Sequence, residues 1–285
     1  MITFFSPSKV NLFFRVLYRR SDGFHEIASL YQALSLGDRL SISLAKEDLL
    51  TCDDPTLPCD QHNLVMKALA KFREKTGENF KVHFHLEKKV PIQSGLGGGS
   101  GNAATALWAL NTLSSHPVES NALANWAAEF SSDAPFFFSS GTAYCTGRGE
   151  VIAHLPSLPH FDLCIAKPEG GLSTPLVYKQ CQPELFMDRN PQLFLARALK
   201  GDLETFNDLE QPACALMPSL AVIKNDLLQL GFDQVTMTGS GTAFMCIGKV
   251  EESIAKLPDP NLSHIAFFPA SFIQRSSTNW YTTPA

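Results

Sequence analysis

The segment PIQSGLGGGSGNAA, residues 91–104, constrains the fold of this chain more than any other stretch. It places five glycines and two serines between a proline and an alanine pair, and each glycine in regular structure costs roughly 0.5–1 kcal/mol relative to alanine. An ordinary turn needs only one or two glycines. Residues 102–115 are rich in alanine and leucine and predict a buried helix. The segment therefore predicts a glycine-rich loop at a helix N-terminus, where free backbone N–H groups and the helix dipole can bind phosphate.

Other uses of such a loop are excluded or remain open. A Walker A loop requires a lysine after the glycines, and none follows here. Residues 99–104 can be aligned with the G-x-G-x-x-A pattern of dinucleotide-binding proteins, with Glu119 at a suitable distance. That pattern should follow a buried hydrophobic strand, whereas the preceding segment alternates and ends in the charged residues 87–89. A purely structural glycine turn is the remaining alternative.

Strand and helix signals along the chain are mixed rather than strictly alternating, which indicates an α+β protein. Strands are predicted at 9–16, 38–45, 81–90, 162–168, 234–238 and 242–248, with a hairpin over 141–155. Helices are predicted at 63–77, 102–115, 119–130, 192–200 and 217–230. In the first strand we expect Lys9, Asn11 and Phe13 on one face. The prolines that follow residue 155 favour two domains, 1–152 and 153–285.

The composition excludes several classes of function. The 285 residues carry a net charge of −5, which gives no sign of a general nucleic-acid binder or a membrane-surface protein. Apolar runs fall short of the roughly 20 residues that a membrane-spanning helix requires. The seven cysteines are scattered and include no C-x-x-C pair, which favours reduced thiols over disulfides or a zinc site. We expect a cytoplasmic protein that binds small molecules rather than nucleic acid or membranes.

Four segments together resemble motifs of the GHMP kinases, a family that phosphorylates small alcohols with ATP. They are the glycine loop, the N-terminal pair SPSKVNLFF and DGFHEI, the segment SSDAPFF (131–137) and the glycine turn TGSGTAFM (238–245). They follow the family's order and extend along the whole chain. The resemblance implies a two-domain α+β fold with the active site in the cleft between the domains. It also implies ATP as co-substrate and Mg²⁺ as its metal.

The pair SKVN and DGFH is similar to one branch of the family, whose alcohol substrate is linked to cytidine. This resemblance implies transfer of the γ-phosphate of ATP to the 2-hydroxyl of a cytidine-diphosphate-linked methylerythritol, on the non-mevalonate route to isoprenoid precursors. Asp133 would be the catalytic base and Lys9 its partner, because a nearby ammonium keeps a carboxylate ionised and stabilises charge on the moving phosphoryl group. Asn11 would hold substrate hydroxyls.

The resemblance also implies that two segments of the chain bind the cytosine. Phe24 and Tyr178 would sandwich the base, since an aromatic face stacks on a nucleobase. His25 would hydrogen-bond its edge, and Thr174, in the segment STPLVY that also resembles this branch, would assist nearby.

For ATP, the resemblance implies phosphate contacts along the loop and adenosine contacts beside it. The phosphate residues would be Pro91, Ile92, Gln93, Ser94, Gly95, Leu96, Gly97, Gly98, Gly99, Ser100 and Gly101. Asn63 and Lys88 would lie near the adenosine. Mg²⁺ would bridge the phosphates and be held partly by water, with Ser100 as a candidate contact. No metal site built from protein ligands alone is expected, and the pair His83 and His85 is interpreted as an exposed strand face.

The residues by themselves leave alternatives open. Asp133 precedes an Ala-Pro pair and suits an N-cap, Lys9 suits a solvated strand position, and His25 suits a turn. The alternative activities are those of another GHMP kinase, of the homoserine or mevalonate type, and of a non-catalytic nucleotide-binding protein with the same fold. We expect a monomer or a weak homodimer.

Overall fold

The computed structural model describes residues 1–248, 250–254, 262–276 and 278–282. The strands are β1 (Ile2–Arg19), β2 (His25–Leu44), β3 (Leu49–Cys52), β4 (Val82–Glu87), β5 (Thr142–Gly147), β6 (Val151–His154), β7 (Asp162–Pro168), β8 (Phe206–Asn207), β9 (Gln234–Met237), β10 (Phe244–Ile247) and β11 (Ile265–Ser271). The helices are α1 (Leu64–Thr76), α2 (Gly98–Leu113), α3 (Ser120–Ala128), α4 (Thr174–Lys179), α5 (Pro191–Ala198), α6 (Glu210–Leu216), α7 (Ser219–Leu230) and α8 (Val250–Ile254). Short 3₁₀ helices span Ala134–Phe138 and Pro183–Leu185.

The strands form two sheets. The first has the order β3-β4-β2-β1-β8, with β5 also paired to β2 and β6 to β5, and the second has the order β11-β7-β10-β9. Strand β8 comes from the second half of the chain, yet it pairs in parallel with β1 of the first half, Phe13 opposite Phe206. The mixed α+β class predicted from the sequence is confirmed.

A β-bulge in β1 changes the face of one predicted residue. Asn11 pairs with Tyr31 of β2, and the next paired residue is Phe13, so the register shifts between them. The bulge turns Phe13 away from Asn11 and into the cluster that holds Val10 and Leu12. The expectation that Phe13 shares the face of Lys9 and Asn11 was therefore wrong.

The described residues form three hydrophobic clusters, and each of them contains residues from both halves of the chain. The cluster that includes Val10, Leu30, Ile165 and Met245, here called the shared cluster, joins the two sheets. Strand β6 spans the expected boundary between residues 152 and 153. We propose that the two domains divide just after β6.

The glycine loop leads into α2 four residues earlier than predicted, because the helix begins at Gly98 rather than at 102. A Cβ on Gly101 would lie 2.4 Å from the carbonyl oxygen of Pro7, so glycine lets α2 pack directly on β1. In α1, the side chain of Asn63 caps the first turn and Gly77 ends the helix in a left-handed conformation. The predicted helices thus exist, with ends that differ by a few residues.

The C-terminal segment packs against the first sheet and its helices. The ring of Trp280 stacks on that of Trp108 at 5.2 Å, and its Nε1–H donates to the carbonyl oxygen of Phe5 at 2.9 Å. The guanidinium of Arg275 donates to the carbonyl oxygens of Phe138 and Ser139, at the end of the first 3₁₀ helix. Residues near the C-terminus therefore complete the core of the first half. None of the helices in the described ranges has the length and apolar character that crossing a bilayer requires.

Candidate active site

One wide cleft, of about 1190 Å³, brings together nearly all of the predicted site residues. Its walls come from β1, the tip of the β1–β2 hairpin, the glycine loop, the segment before Ala134 and the region around α4. Pockets for a single drug-sized ligand have about 300–1,000 Å³, so this cleft can hold two substrates. Among the predicted residues, Asn11 and Gly101 are outside its lining.

Asp133 lies in the cleft between a lysine and a tyrosine. The Nζ of Lys9 is 3.6 Å from Oδ2 of Asp133, and the hydroxyl of Tyr31 donates to Oδ1 at 3.0 Å. Asp133 occupies the N-cap position of the 3₁₀ helix, but its side chain makes no capping hydrogen bond. The carboxylate is oriented toward these two groups, so the capping alternative does not describe what this side chain does.

Lys9 is held rigidly beneath the cleft. Its side chain is only 3% exposed, its Nζ donates to Oδ1 of Asn11 at 2.8 Å, and it lies over the ring of Tyr31. This burial excludes the alternative of a solvated strand lysine. Asn11 is itself buried, and its Nδ2 donates to the hydroxyl of Ser29. In this structure it therefore orients the ammonium of Lys9. Its contact with substrate hydroxyls stays a prediction.

Tyr31 is a member of this site that the sequence did not predict. Burial, and secondarily the charge of Asp133, raises the pKa of Tyr31 well above its usual value. The phenol therefore stays protonated and keeps donating to Asp133. A buried tyrosine hydroxyl needs a hydrogen-bond partner. This rule could not be applied to Tyr31 from the sequence, because the strand that buries it was not predicted.

The glycine loop takes left-handed backbone angles at two glycines and leaves the N-terminus of α2 without a side-chain cap. Gly95 and Gly97 have φ of +79° and +67°, in the left-handed region. A Cβ on Gly95 would lie 2.0 Å from the carbonyl oxygen of Thr238, and one on Gly97 would lie 3.0 Å from Cγ of Lys9. Gly97 is the N-cap of α2 and offers no side-chain cap, so the first-turn N–H groups are available to a ligand.

A buried carboxylate fixes the start of this loop. Asp38 accepts from the backbone N–H groups of Lys89 and Val90 at 2.7 and 2.8 Å, and from Nδ2 of Asn102 at 2.9 Å. The ammonium of Lys88 also donates to Asp38. Lys88 thus lines the cleft with its charge already paired, and Asn63 lines it while capping α1.

The loop is tied to the segment that carries Asp133. The hydroxyl of Ser131 donates to that of Ser100, in the first turn of α2, at 3.0 Å. This contact brings two hydroxyls beside the helix N-terminus, within the same cleft as the carboxylate.

Aromatic residues cluster elsewhere in the cleft. The rings of His25 and Tyr178 stack at 5.1 Å with 29° between their planes. Phe24 is 52% exposed, with the guanidinium of Arg148 over its ring at 4.9 Å. Thr174 shares a hydrogen bond of 2.7 Å with Ser240. The structure therefore pairs Tyr178 with His25, and the expected sandwich with Phe24 stays a prediction.

Two pKa shifts define the electrostatics of this cluster. Burial, and then the positive charge of Arg19, lowers the pKa of His25 below its usual value, so the imidazole is neutral at pH 7. Burial raises the pKa of Tyr178, and the charge of Asp133 raises it further. The phenol of Tyr178 therefore stays protonated at neutral pH.

The H-x-H pair of β4 has a local hydrogen-bonding role. Nε2 of His83 and Nδ1 of His85 each lie 2.9 Å from the hydroxyl of Thr51. Across the described ranges, no group of three or more His, Cys, Asp or Glu side chains is arranged to hold a metal ion.

A family model and curated relatives match this chain. A model described as "GHMP kinases N terminal domain" matches residues 63–141. The chain is 46% identical to a 4-diphosphocytidyl-2-C-methyl-D-erythritol kinase of Protochlamydia amoebophila over 282 residues, which cover 99% of this chain and 93% of that relative. It is 41% identical to the chloroplastic enzyme of that name in Arabidopsis thaliana, with 99% and 76% covered.

A solved structure gives the same result at the level of the fold. The crystal structure of a 4-(cytidine 5'-diphospho)-2C-methyl-D-erythritol kinase superposes with a TM-score of 0.81 at 31% identity, covering 95% of this chain and 99% of that one. The match extends over both halves of the chain. This chain therefore belongs to the GHMP kinase family and, within it, to the 4-diphosphocytidyl-2-C-methyl-D-erythritol kinases.

Proposed function

We propose that the protein transfers the γ-phosphate of ATP to the 2-hydroxyl of 4-diphosphocytidyl-2-C-methyl-D-erythritol, giving the 2-phosphate and ADP. The observation that carries this proposal is the placement of one pair of a buried lysine and a half-buried carboxylate, one glycine loop and one aromatic cluster in a single cleft. A kinase of this kind needs a base, a phosphate site and a site for the nucleoside of its acceptor. The cleft offers a candidate for each.

The base is Asp133. Its carboxylate accepts the proton of the attacking hydroxyl, while Tyr31 and Lys9 hold the two oxygens in place. The buried ammonium of Lys9 favours the ionised carboxylate and stabilises charge on the phosphoryl group in transit. Asn11 fixes the ammonium, and the hydroxyl of the substrate approaches from the open side of the cleft.

The phosphates of ATP bind at the glycine loop. The loop of residues 91–101 encloses the phosphates, the free backbone N–H groups at the start of α2 donate to them, and the positive end of the α2 dipole favours the negative charge. Asn63 and Lys88 line the cleft beside the loop and are proposed to contact the adenosine. The acceptor's cytosine binds at Phe24, His25 and Tyr178, with Thr174 nearby.

Magnesium fits the donor set of this cleft. Asp133 is the one carboxylate among the described residues that line it, and the hydroxyls of Ser100 and Ser131 lie at the helix N-terminus. Such a set suits Mg²⁺ that is held mainly by phosphate oxygens and water, with Ser100 as a protein contact. When bound, the ion neutralises phosphate charge. Gly101 packs on Pro7 and adds no ligand.

The setting of this activity is also a proposal. All seven cysteines lie in the described part of the chain and are free thiols, which supports a reducing compartment and hence the cytoplasm. Both substrates are small molecules that fit one cleft of a single chain. We propose that the protein works as a monomer or as a weak homodimer.

A coupled assay of ADP release tests the proposal. The enzyme is offered the cytidyl substrate, homoserine, mevalonate and galactose in parallel, with Mg²⁺ and saturating ATP. We expect turnover of the cytidyl substrate to exceed that of the others by about 1,000-fold or more in kcat/KM, because a site that hydrogen-bonds a base rejects substrates without it. Comparable turnover of homoserine or mevalonate would show another GHMP activity. Nucleotide binding without turnover of any alcohol would show a non-catalytic binder.

A further inference from the structure

The cleft contains basic side chains that play no part in the glycine loop or in the Lys9–Asp133 pair. They are Arg19, Arg148 and Lys179. Arg19 and Lys179 are exposed, and no carboxylate of the described residues lies within 4.0 Å of either. Arg148 differs, because its side chain is only 32% exposed and is held from two sides.

The guanidinium of Arg148 is fixed in place but retains most of its donors. Its Nε–H donates to Oε1 of Glu150 at 3.3 Å, and its plane lies over the ring of Phe24 at 4.9 Å. Within the described residues, the two terminal nitrogens have no hydrogen-bond partner, which leaves four of the five N–H donors for a ligand. An arginine that is oriented in advance and keeps a free edge suits a phosphate group, which it can bind with two parallel hydrogen bonds.

The position of Arg148 links the two ends of the acceptor site. It belongs to the turn between β5 and β6, in which Gly149 has φ of +117°. A Cβ on Gly149 would lie 3.0 Å from the hydroxyl of Tyr31 and 3.5 Å from Oδ1 of Asp133, so the backbone of the turn packs against the base. From there the side chain of Arg148 reaches Phe24, in the aromatic cluster. The turn therefore adjoins the carboxylate at Gly149 and the aromatic cluster through the side chain of Arg148.

We propose that Arg148 binds the diphosphate that joins the cytidine to the sugar alcohol. This assignment rests on the function proposed above. In that substrate the diphosphate lies between the base and the alcohol, and the turn that carries Arg148 adjoins both the carboxylate and the aromatic cluster that take these two ends. The terminal N–H groups of Arg148 donate to the diphosphate oxygens, while Phe24 and Glu150 keep the guanidinium oriented.

A structural role for Arg148 predicts different behaviour. If Arg148 only supported the ring of Phe24, its loss would weaken the binding of cytidine and of CDP equally. If it acted on the phosphoryl group in transit, its loss would lower kcat and leave the affinity for CDP unchanged. The dependence of binding on the diphosphate separates these roles.

The test compares the affinities of cytidine and CDP for the wild type and for Arg148→Gln, by calorimetry with the ATP site saturated by a non-hydrolysable ATP analogue. Arg197→Gln is the matched control, since Arg197 is also ion-paired, with Asp202 at 2.7 Å, but is outside the lining of the cleft. We expect the affinity for CDP to fall by about 10-fold or more and that for cytidine by less than about 3-fold, because hydrogen bonds to charged groups are the strong ones. Arg148→Lys should recover part of the loss. Binding of the ATP analogue confirms that each variant is folded.

The outcomes separate the role of Arg148 from the proposed function. Equal losses for cytidine and CDP, or no loss for CDP, would overturn the role of Arg148, even where the wild type phosphorylates the cytidyl substrate. A loss confined to CDP, in an enzyme that does not phosphorylate that substrate, would support the diphosphate site and overturn the proposed function. A wild type that binds neither cytidine nor CDP overturns both.

Discussion

Asp133 contacts a lysine on one oxygen and a tyrosine on the other, and the two contacts have different consequences for its carboxylate. The ammonium of Lys9 favours the charged form, which a base requires. The hydroxyl of Tyr31 fixes the direction of Oδ1, because its raised pKa keeps the proton on the phenol. The acceptor hydroxyl can then approach Oδ2 from the open side of the cleft.

Asp133→Asn should lower kcat by at least ~100-fold, since a positioned general base typically contributes ~10²–10⁴ in rate. The amide keeps the shape of the side chain but cannot accept the proton. The affinity for ATP and the thermal unfolding temperature should stay nearly constant, because the carboxylate makes no capping bond. Single-turnover kinetics with saturating ATP measures the effect. Early unfolding with unchanged turnover per folded molecule would identify Asp133 as a structural residue instead.

His25 should give the binding of the cytidyl substrate a defined pH dependence. Its pKa is lowered below the usual value of 6.5 by burial and by Arg19, so the imidazole is neutral above that pH. As the pH falls through the lowered pKa, protonation removes the acceptor nitrogen and adds a charge. We expect KM for the cytidyl substrate to be flat from pH 8 to about 6.5 and to rise below it.

The matched variant for this pH profile is His25→Asn, which keeps a hydrogen-bonding side chain that does not titrate. It should raise KM for the cytidyl substrate at pH 7.5 and remove the rise at low pH, with KM for ATP unchanged at pH 7.5. The diphosphate diester does not titrate in this range and so does not obscure the result. If KM for the cytidyl substrate rises identically at low pH in the wild type and the variant, the pH dependence belongs to another group.

At the scale of elements, the glycine loop contains two glycines whose substitution by alanine should have different effects. A Cβ on Gly99 would meet only Cδ1 of Leu64, at an ordinary 3.5 Å, whereas a Cβ on Gly101 would lie 2.4 Å from the carbonyl oxygen of Pro7. Gly99 is thus free to carry a methyl group in the absence of nucleotide. Gly101 is required by the packing of α2 on β1.

Gly99→Ala should therefore weaken ATP binding by about 10-fold or more while leaving the unfolding temperature unchanged, because the methyl group obstructs only the phosphate. Gly101→Ala should lower the unfolding temperature first, by displacing α2. Titration with a fluorescent ATP analogue and a thermal melt of each variant measure the two effects. Unchanged affinity in Gly99→Ala would make the loop a structural turn.

Local patterns predicted the elements that have clear periodicity, such as α1 with its caps at Asn63 and Gly77. The first part of β2 was not predicted, because residues 25–34 are buried nearly throughout and show no alternation. Tyr31 lies in that part and was missed with it. Strand β8 has two residues and exists only through its pairing with β1, which no local signal encodes.

Lys9, Asp133 and the loop were named from motifs, and the structure brings them into one cleft. The site was not predictable where the contact is made between distant segments. Arg148 meets Phe24 across more than 120 positions of the chain, and its residue type alone does not name that partner. Sequence patterns identify the chemistry of single segments, and the fold decides which segments meet.

At the scale of the whole molecule, the stability of the first half depends on residues near the end of the chain. Trp280 is 6% exposed and packs on Trp108 and Phe138, with its Nε1–H bonded to Phe5. Together with β8 and the shared cluster, it joins the two proposed domains into one core.

Trp280→Ala should lower the free energy of unfolding by about 3–5 kcal/mol, the usual cost of truncating a large buried aromatic residue. Unfolding in urea, followed by circular dichroism, measures it. Val222→Ala, at a position that is 60% exposed in α7, should have almost no effect and serves as the control. A change below about 1 kcal/mol in Trp280→Ala would show that the C-terminal segment is dispensable for the core.

The continuity of the cleft also determines what kind of inhibitor the enzyme admits. The glycine loop and the aromatic cluster line one space of about 1190 Å³, so a single molecule can occupy both. A compound that joins adenosine to cytidine through a chain of phosphates would bind its second end at an effective concentration in the millimolar range, set by the length of the linker. Its affinity can therefore exceed that of either half by about 10²–10⁴-fold. Kinases that lack an aromatic cluster for the acceptor's base would bind only the adenosine end of the compound, so the second end would not increase its affinity for them.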